Sequence, residues 1–297
     1  MAGFAGCQSV LSQKLPKSTE RLKIGLKDEK TQLDSSFFLS HGRIWLIGGT
    51  SDSAKIARAI VAEQFPCTVT VTTPSAQALY SQSDDLKVWV GTLKCPQLWT
   101  FCTQEKIVAI VDASHPYAVT VSQNAIAIAT QKQIPYLRYE RAAINALGVV
   151  ELDSFETLLK EDYLLGQRVL LTVGYKALPL FQSWQNRATL FARILPAVNS
   201  LAVAISAGFS SDRLMALRPP VSAALEKALW QQWQISLVVT KASGEAGGED
   251  IKRSVAAELE IPLIVIARPK VVYPRQTNDI SEVLTFCRQH LRAYLSK

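Results

Sequence analysis

Residues 238–269 read V-V-T-K-A-S-G-E-A-G-G-E-D-I-K-R-S-V-A-A-E-L-E-I-P-L-I-V-I-A-R-P, and this stretch contains most of one β-α-β unit. A β-branched run from Ile235 to Thr240 enters a loop with three glycines, and an amphipathic helix follows the loop. A second apolar run, Leu263 to Ala267, ends at Arg268-Pro269. Two strands joined through a helix lie parallel in one sheet, so the stretch predicts an α/β fold.

The glycine-rich loop of this unit predicts an anion-binding site. Parallel strands bring such a loop to the carboxyl end of a strand and the amino end of a helix, where open α/β sheets bind ligands. Glycines allow close backbone approach, and Lys241 adds a fixed positive charge. We therefore expect a negatively charged substrate to contact Lys241, Ser243, Gly244, Gly247 and Gly248.

Composition limits the class of protein. With 297 residues, of which 48% are hydrophobic, the chain is expected to form about two domains, each with its own core. The net charge of +7 comes from scattered basic residues, which favours acidic small molecules over nucleic acid. The five cysteines and three histidines are not spaced as metal ligands, so we expect no metal site. Without a long apolar run or a secretory signal, we expect a cytoplasmic protein with no membrane partner.

The order of the predicted elements indicates three segments. Residues 1–41 are polar and are expected to form a disordered or weakly ordered tail. Strands and helices then alternate twice, once over residues 42–148 and again over 149–297, and Ala142 to Ser154 forms the crossing. We therefore expect two Rossmann-like domains with mainly parallel sheets that face a central cleft.

The first strand and turn favour dinucleotide binding by the first domain. Arg43 to Ile47 predicts a strand, and Gly48-Gly49-Thr50-Ser51 follows it at the start of a helix. The turn resembles a dinucleotide fingerprint, although its spacing is not G-x-G-x-x-G. Asp52 suits the helix dipole but would repel a neighbouring phosphate, and a helix cap is its alternative role.

The second strand bears on which cofactor is bound. NAD-binding folds usually carry an acid at its end, where it holds the ribose hydroxyls, but Thr72 and Thr73 stand there in this chain. This favours NADPH and leaves NADH open. The expected cofactor contacts are Gly48, Gly49, Thr50, Ser51, Thr72, Thr73 and Ser114.

A third polar cluster follows the apolar run Ile107 to Val111, which is typical of a strand buried on both faces. The residues D-A-S-H-P-Y at 112–117 place Asp112, His115 and Tyr117 at the end of that strand. These side chains are candidates to position a cofactor or to move a proton. They equally suit a structural role, in which Asp112 caps the next helix and His115 is satisfied locally, and the sequence leaves both roles open.

The motifs together resemble one enzyme family. They are I-G-G-T-S-D-S at 47–53, V-D-A-S-H-P-Y-A at 111–118, L-T-V-G-Y-K at 171–176, T-K-A-S-G-E-A-G-G-E-D-I-K at 240–252 and I-P-L-I-V-I-A-R-P at 261–269. In this order they resemble the precorrin-6A reductase / cobalt-precorrin-6A reductase family of cobalamin (vitamin B12) biosynthesis.

The resemblance implies an enzyme that transfers hydride from NAD(P)H to the macrocycle of precorrin-6A or its cobalt form, giving precorrin-6B. The substrate is then a polycarboxylate tetrapyrrole, for which Lys176, Lys241 and Arg268 are expected carboxylate partners. Other enzymes of the cobalamin pathway are further candidate partners.

Two other functions remain open on the sequence. One is a different Rossmann-type NAD(P)-dependent reductase, because the first motif is common to many enzymes. The other is a non-catalytic protein that binds a tetrapyrrole or nucleotide. It is suggested by Tyr175 and Ala242, which stand where the family often carries an arginine and a polar residue.

Overall fold

The computed structural model describes residues 42–141 and 149–295, which form two six-stranded sheets covered by helices. Within each sheet every neighbouring pair of strands is parallel. The predicted α/β fold with two Rossmann-like sheets is confirmed. The predicted tail at 1–41 and the start of the crossing at 142–148 lie outside the described residues.

The first sheet has the strand order β12-β5-β4-β1-β2-β3, with elements numbered along the chain. Its strands are β1 (Arg43–Ile47), β2 (Cys67–Val71), β3 (Leu86–Val90), β4 (Ile107–Asp112), β5 (Tyr136–Tyr139) and β12 (Gln276–Thr277). Its helices are α1 (Ser51–Ala62), α2 (Pro74–Gln77), α3 (Cys95–Gln104), α4 (Val119–Lys132) and α9 (Ile280–Leu295).

Helices cover both faces of this sheet, as the alternation of side chains in β1 shows. Ile44 and Leu46 pack into the core that contains α1 and α9 residues, while Trp45 and Ile47 pack into the opposite core beneath α3 and α4. Successive residues of a strand point to opposite faces, so an entirely apolar strand needs a core on each side.

The second sheet has the strand order β6-β11-β10-β7-β8-β9. Its strands are β6 (Val149–Leu152), β7 (Arg168–Thr172), β8 (Thr189–Ile194), β9 (Leu214–Ala216), β10 (Leu237–Lys241) and β11 (Leu263–Ile266). Its α-helices are α5 (Phe155–Lys160), α6 (Val198–Ser206), α7 (Ala223–Gln232) and α8 (Glu249–Glu258). Between β7 and β8 lies a 3-10 helix, Tyr175–Trp184, that contains Pro179, which has no N–H to donate.

The C-terminal segment differs from the sequence-based expectation. Residues 149–297 were assigned to the second domain, but β12 pairs with β5, and α9 packs against α1, β1, β4 and β5 of the first sheet. The apolar stripe of α9 includes Val283, Phe286 and Cys287, and it fits the face of any parallel sheet. The spacing of such a stripe therefore predicts the helix but not the sheet that it covers.

Both sheets have a topological switch point, where the strand order changes direction. In the first sheet it lies between β1 and β4, and in the second it lies between β7 and β10. Open parallel sheets bind ligands in the crevice outside these carboxyl ends. The loops that follow β1, β4, β7 and β10 are therefore the candidate site.

Candidate functional site

The loop after β1 has the features of a phosphate-binding turn. Gly49 has φ +98, and a Cβ added there would meet no protein atom within 4 Å, so open space adjoins the backbone. The backbone N–H groups of Ser51 and Asp52 have no acceptor among the described residues. Unpaired N–H groups at the start of a helix attract anions, and α1 has 12 residues. The geometry of the turn therefore fits the phosphates of a dinucleotide.

The Thr50 side chain forms hydrogen bonds inside the protein that fix this turn. Thr50 is the N-cap of α1, and its Oγ1 accepts a hydrogen bond from the Ser53 backbone N–H at 3.0 Å. The same hydroxyl donates to the Ala113 carbonyl at 3.0 Å, which joins the loops after β1 and β4. Asp52 is therefore not the cap but the second residue of the helix.

Tyr80 is a site residue that the sequence analysis missed. Its hydroxyl accepts a hydrogen bond from the Gly49 N–H at 2.8 Å and lies 2.7 Å from Ser53 Oγ. A Cβ on Gly48 would lie 2.3 Å from the same hydroxyl, so only glycine fits there. Tyr80 also lines a surface cavity of about 640 Å³ between the segment after α2 and β3. It lies outside every motif, and no pattern in the sequence indicates its role.

The other predicted cofactor residues reach the same edge of the first sheet, because β4, β1 and β2 are neighbours. Thr72 and Thr73 are exposed at the end of β2, and Thr73 caps α2. Ser114 is buried after β4, where its Oγ accepts a hydrogen bond from Arg138 at 3.1 Å. Their roles in cofactor binding stay predictions.

Asp112 lies at the centre of a buried hydrogen-bond network, and its side chain is 0% exposed. One carboxylate oxygen accepts from the Ser114 N–H at 3.0 Å and from Arg138 at 2.9 Å. The other oxygen accepts from the Ser122 hydroxyl at 2.6 Å and the Tyr136 hydroxyl at 2.7 Å. All four partners donate, so the carboxylate acts as an acceptor that fixes the loop after β4.

One ring nitrogen of His115 has no hydrogen-bond partner within residues 42–141 and 149–295. The other, Nδ1, accepts a hydrogen bond from the Tyr117 N–H at 3.2 Å, so in the neutral ring the proton lies on Nε2. Desolvation, followed by the positive charges of Arg141, Lys241 and other nearby cations, lowers the pKa of His115 to about 4. The residue is nevertheless exposed at the surface of the protein. His115 is therefore neutral at pH 7 and presents an N–H donor.

Tyr117 links the two sheets. Its hydroxyl donates to the carbonyl oxygens of Ile266 and Ala267, the latter at 3.0 Å, and accepts from the Ala242 N–H at 3.2 Å. Burial raises the pKa of Tyr117 above its ordinary value. The hydroxyl is thus held by the ends of β10 and β11. Among the three side chains predicted to be catalytic, Nε2 of His115 is the one polar atom without a partner in the described residues.

Two lysines lie at the switch point of the second sheet. Lys241 ends β10, and its Nζ lies 4.6 Å from the centre of the Tyr117 ring and 5.5 Å from that of Phe155. It forms no hydrogen bond or ion pair within residues 42–141 and 149–295. Burial, followed by the charge of nearby Lys176, lowers the pKa of Lys241. Neither lysine has an ion-pair partner among the residues that the structure describes, and two adjacent cations of this kind favour an anion.

Side chains of α8 form hydrogen bonds with the backbone of the glycine-rich loop after β10. Glu249 accepts a hydrogen bond from the Gly244 N–H at 2.7 Å. Lys252, whose pKa burial lowers to about 8, donates to the carbonyl oxygens of Gly247 and Gly248 at 2.9 Å each. Gly244 and Gly248 have φ of +68 and +67, which favour glycine. Ser243 is buried within the loop.

Arg268 connects this loop to the first sheet. It donates to the Ala242 carbonyl at 2.8 Å and to Glu140 at 2.7 Å. The other carboxylate oxygen of Glu140 accepts from Arg138 at 2.8 Å, so an ion-pair chain runs between the sheets. Contact of Arg268 with substrate stays a prediction from the sequence, whereas no sequence pattern indicates a role for Glu140.

Two negative findings concern the described residues. They contain no group of three or more His, Cys, Asp or Glu side chains that could hold a metal ion. None of their helices is long and apolar enough to cross a membrane.

Taken together, the carboxyl edge of one parallel sheet carries a dinucleotide-type turn, and that of the other carries two lysines without an ion-pair partner among the described residues. This arrangement defines a two-sheet Rossmann-like protein. The sequence profile described as "Precorrin-6x reductase CbiJ/CobK" matches residues 43–288, and the chain belongs to this family.

Individual relatives agree with this assignment. The chain is 49% identical over 252 residues to "Cobalt-precorrin-6A reductase" of Synechocystis sp., a match that covers 84% of this chain and 97% of the relative. It is 32% identical over 246 residues to the protein of the same name from Priestia megaterium, covering 81% and 96%. The solved structure "CobK precorrin-6A reductase" has the same fold, with a TM-score of 0.70, 21% identity and coverage of 84% and 97%.

The family resemblance inferred from the motifs is therefore confirmed, and so is the class of enzyme, a reductase of cobalamin biosynthesis. Reductases of this kind are consistent with a nicotinamide cofactor.

Proposed function

We propose that the protein transfers hydride from a reduced nicotinamide cofactor to the macrocycle of precorrin-6A or cobalt-precorrin-6A, giving the corresponding precorrin-6B. The observation that carries this proposal is the junction of the two carboxyl edges through Tyr117, Arg268 and Glu140. It brings a turn suited to a dinucleotide within reach of a site suited to an anion. The names of the relatives support this choice of substrate.

The first sheet holds the cofactor in this proposal. The free N–H groups of Ser51 and Asp52 donate to the cofactor phosphates, and the open space at Gly49 allows these phosphates to approach the backbone. The exposed hydroxyls of Thr72 and Thr73 at the end of β2 favour the 2′-phosphate of NADPH over NADH. The bound cofactor supplies the hydride, and the chain supplies its orientation and excludes water.

The second sheet holds the substrate. Precorrin-6A carries several carboxylates, and Lys241 and Lys176 provide positive charge without a counter-ion in the described residues. In the loop from Ser243 to Gly248, the backbone N–H groups of Glu245 and Ala246 have no acceptor among the described residues, so they are available to a second carboxylate. A charge-assisted contact contributes roughly 1.5–3 kcal/mol, so a few of them orient a polyanion strongly.

The three residues predicted to be catalytic take different parts. His115 donates a hydrogen bond from Nε2 toward the reacting macrocycle, because that atom alone among the three side chains lacks a partner in the part of the chain that the structure describes. Asp112 positions the loop that carries His115, and Tyr117 positions Lys241 and fixes the junction. Water supplies the proton that balances the reduction.

The proposal extends to the setting of the reaction. A reaction that draws on a reduced nicotinamide cofactor fits the cytoplasm, where other enzymes of the cobalamin pathway are candidate partners. Both statements rest on the proposed reaction.

The test is the loss of nicotinamide absorbance when the purified protein receives NADPH or NADH with metal-free or cobalt-containing precorrin-6A. We expect turnover, with NADPH as the better cofactor. Turnover of a small carbonyl compound without tetrapyrrole binding would favour a different Rossmann-type reductase. Cofactor or tetrapyrrole binding without turnover would favour a non-catalytic binding protein.

A further inference from the structure

We infer that Arg141 is a positioning residue that couples the cofactor helix α1 to the glycine-rich substrate loop. The inference rests on the proposed function and adds an energetic link between its two sites. Arg141 follows β5, and its guanidinium contacts both sides of the junction. One nitrogen lies 2.7 Å from Asp52 Oδ2, and another donates to the Ser243 carbonyl at 2.6 Å.

On the cofactor side, Arg141 balances the negative charge of Asp52. Asp52 lies in the first turn of α1, beside the free N–H groups that the proposal assigns to phosphates. Its side chain is only 11% exposed, and Oδ2 accepts no hydrogen bond from the described residues. A nearly buried carboxylate at that place would repel a dinucleotide phosphate. Arg141 is its ion-pair partner and offsets the repulsion.

The contact between Asp52 and Arg141 is electrostatic rather than a directed hydrogen bond. The two atoms are 2.7 Å apart, but their geometry is outside that of a hydrogen bond. Charge is therefore the property that matters on this side, and a variant that removes both charges is expected to bind NADPH as tightly as the wild-type protein.

Shape and direction matter on the substrate side. The hydrogen bond to the Ser243 carbonyl fixes the first residue of the loop. A Cβ on Gly244 would lie 2.7 Å from Cδ of Arg141, so the arginine side chain packs directly on the loop backbone. Loss of the guanidinium frees the loop that the proposal assigns to substrate carboxylates. One side chain thus contributes to both sites, through charge at one and through a fork of donors at the other.

Calorimetric binding of NADPH to four proteins tests the cofactor side: the wild-type chain, R141A, D52N and the double variant R141A/D52N. We expect R141A to bind NADPH at least about tenfold more weakly, because it leaves Asp52 unpaired. D52N is expected to bind as tightly as the wild-type protein or more tightly, and the double variant is expected to recover wild-type affinity. Equal weakening in R141A and the double variant would overturn the charge argument.

Steady-state kinetics test the substrate side. In R141A/D52N we expect the KM for precorrin-6A to rise about tenfold or more while the NADPH affinity is recovered. R141K retains the positive charge but not the fork of donors, so we expect wild-type NADPH affinity with a raised substrate KM. The variants are compared only when their thermal unfolding shows a folded protein. If R141A does not fold, the single variants R141K and D52N are compared with the wild-type chain instead. A wild-type KM in both R141K and the double variant would overturn the coupling.

The opposite end of the same helix offers a matched control. Arg288 and Glu63 form an ion pair at 2.8 Å, in which both side chains are 38% exposed. R288A is expected to leave NADPH affinity and substrate KM unchanged. If the wild-type chain binds neither NADPH nor NADH, the proposed cofactor fails, and the inference fails with it. If the wild-type chain binds NADPH and R141A binds it equally well, the inference alone is refuted.

Discussion

Replacement of Lys241 by methionine tests the proposed substrate site. The change removes the ammonium, and with it the cation–π contacts with Tyr117 and Phe155, and keeps a side chain of similar length. Lys241 has no counter-ion among the described residues, so in the proposal the substrate carboxylate is its partner. Loss of one charge-assisted contact costs roughly 1.5–3 kcal/mol, which corresponds to an increase in the substrate Kd of about tenfold or more.

The same substitution has a much smaller expected effect on stability. Burial lowers the pKa of Lys241, which means that its charged form is disfavoured in the folded protein without a ligand. Its removal relieves that cost, while the lost cation–π contacts cost about 0.5–1 kcal/mol each. We therefore expect the free energy of unfolding to change by no more than about 1 kcal/mol.

The assay compares tetrapyrrole binding, NADPH binding and urea unfolding for the wild-type chain, K241M and K160M. Lys160 is a control on α5, the helix that carries Phe155, and it is an exposed side chain paired with Glu156 at 2.8 Å. We expect K241M alone to lose substrate affinity, with NADPH affinity unchanged. Unchanged substrate affinity, or a loss of stability that accounts for the binding defect, would refute the reasoning.

Three further predictions concern other parts of the site. The pKa of His115 is expected to lie well below the ordinary histidine value of about 6.5. The unfolded chain then binds the proton more readily, so the free energy of unfolding falls as the pH decreases from about 6.5 toward about 4. An NMR titration midpoint at or above the ordinary value would contradict this. Asp112→Ala is expected to cost about 3–5 kcal/mol in urea unfolding, because it removes a partner of the buried Arg138; a loss below about 1 kcal/mol would contradict it. Gly244→Ala is expected to raise the substrate KM and leave NADPH affinity unchanged, because φ is +68 and the new Cβ would press on Arg141; a wild-type KM would show that the loop tolerates the change.

The sequence was sufficient for the regular part of the fold. Apolar runs such as Ile107 to Val111 form central strands, and the predicted first strand has the same bounds, Arg43–Ile47, in the structure. Short strands were missed: β12 has two residues, and β6 lies in the segment that was expected to be a crossing. Such strands are defined by their pairing partners, and no local periodicity marks them.

The position of the site was also predictable, but the roles of its side chains were not. Motif order placed Asp112, Tyr117 and Lys241 at the carboxyl ends of strands, where the structure has them. Their partners come from distant parts of the chain: Tyr136 donates to Asp112, and Ile266 accepts from Tyr117. Local sequence carries no information about such contacts, because the first depends on which strands become neighbours in a sheet and the second on how two sheets pack.

The most direct test of the central claim follows the hydride itself. The protein is given NADPH with deuterium at the transferable position of the nicotinamide, together with precorrin-6A or its cobalt form, and the product is analysed by mass spectrometry and NMR. The account predicts that one deuterium appears on a carbon of the macrocycle and that an equal amount of NADP⁺ is formed. Oxidation of the cofactor without deuterium in the macrocycle would contradict direct hydride transfer. So would a reduced macrocycle that carries no deuterium, whichever face of the nicotinamide was labelled.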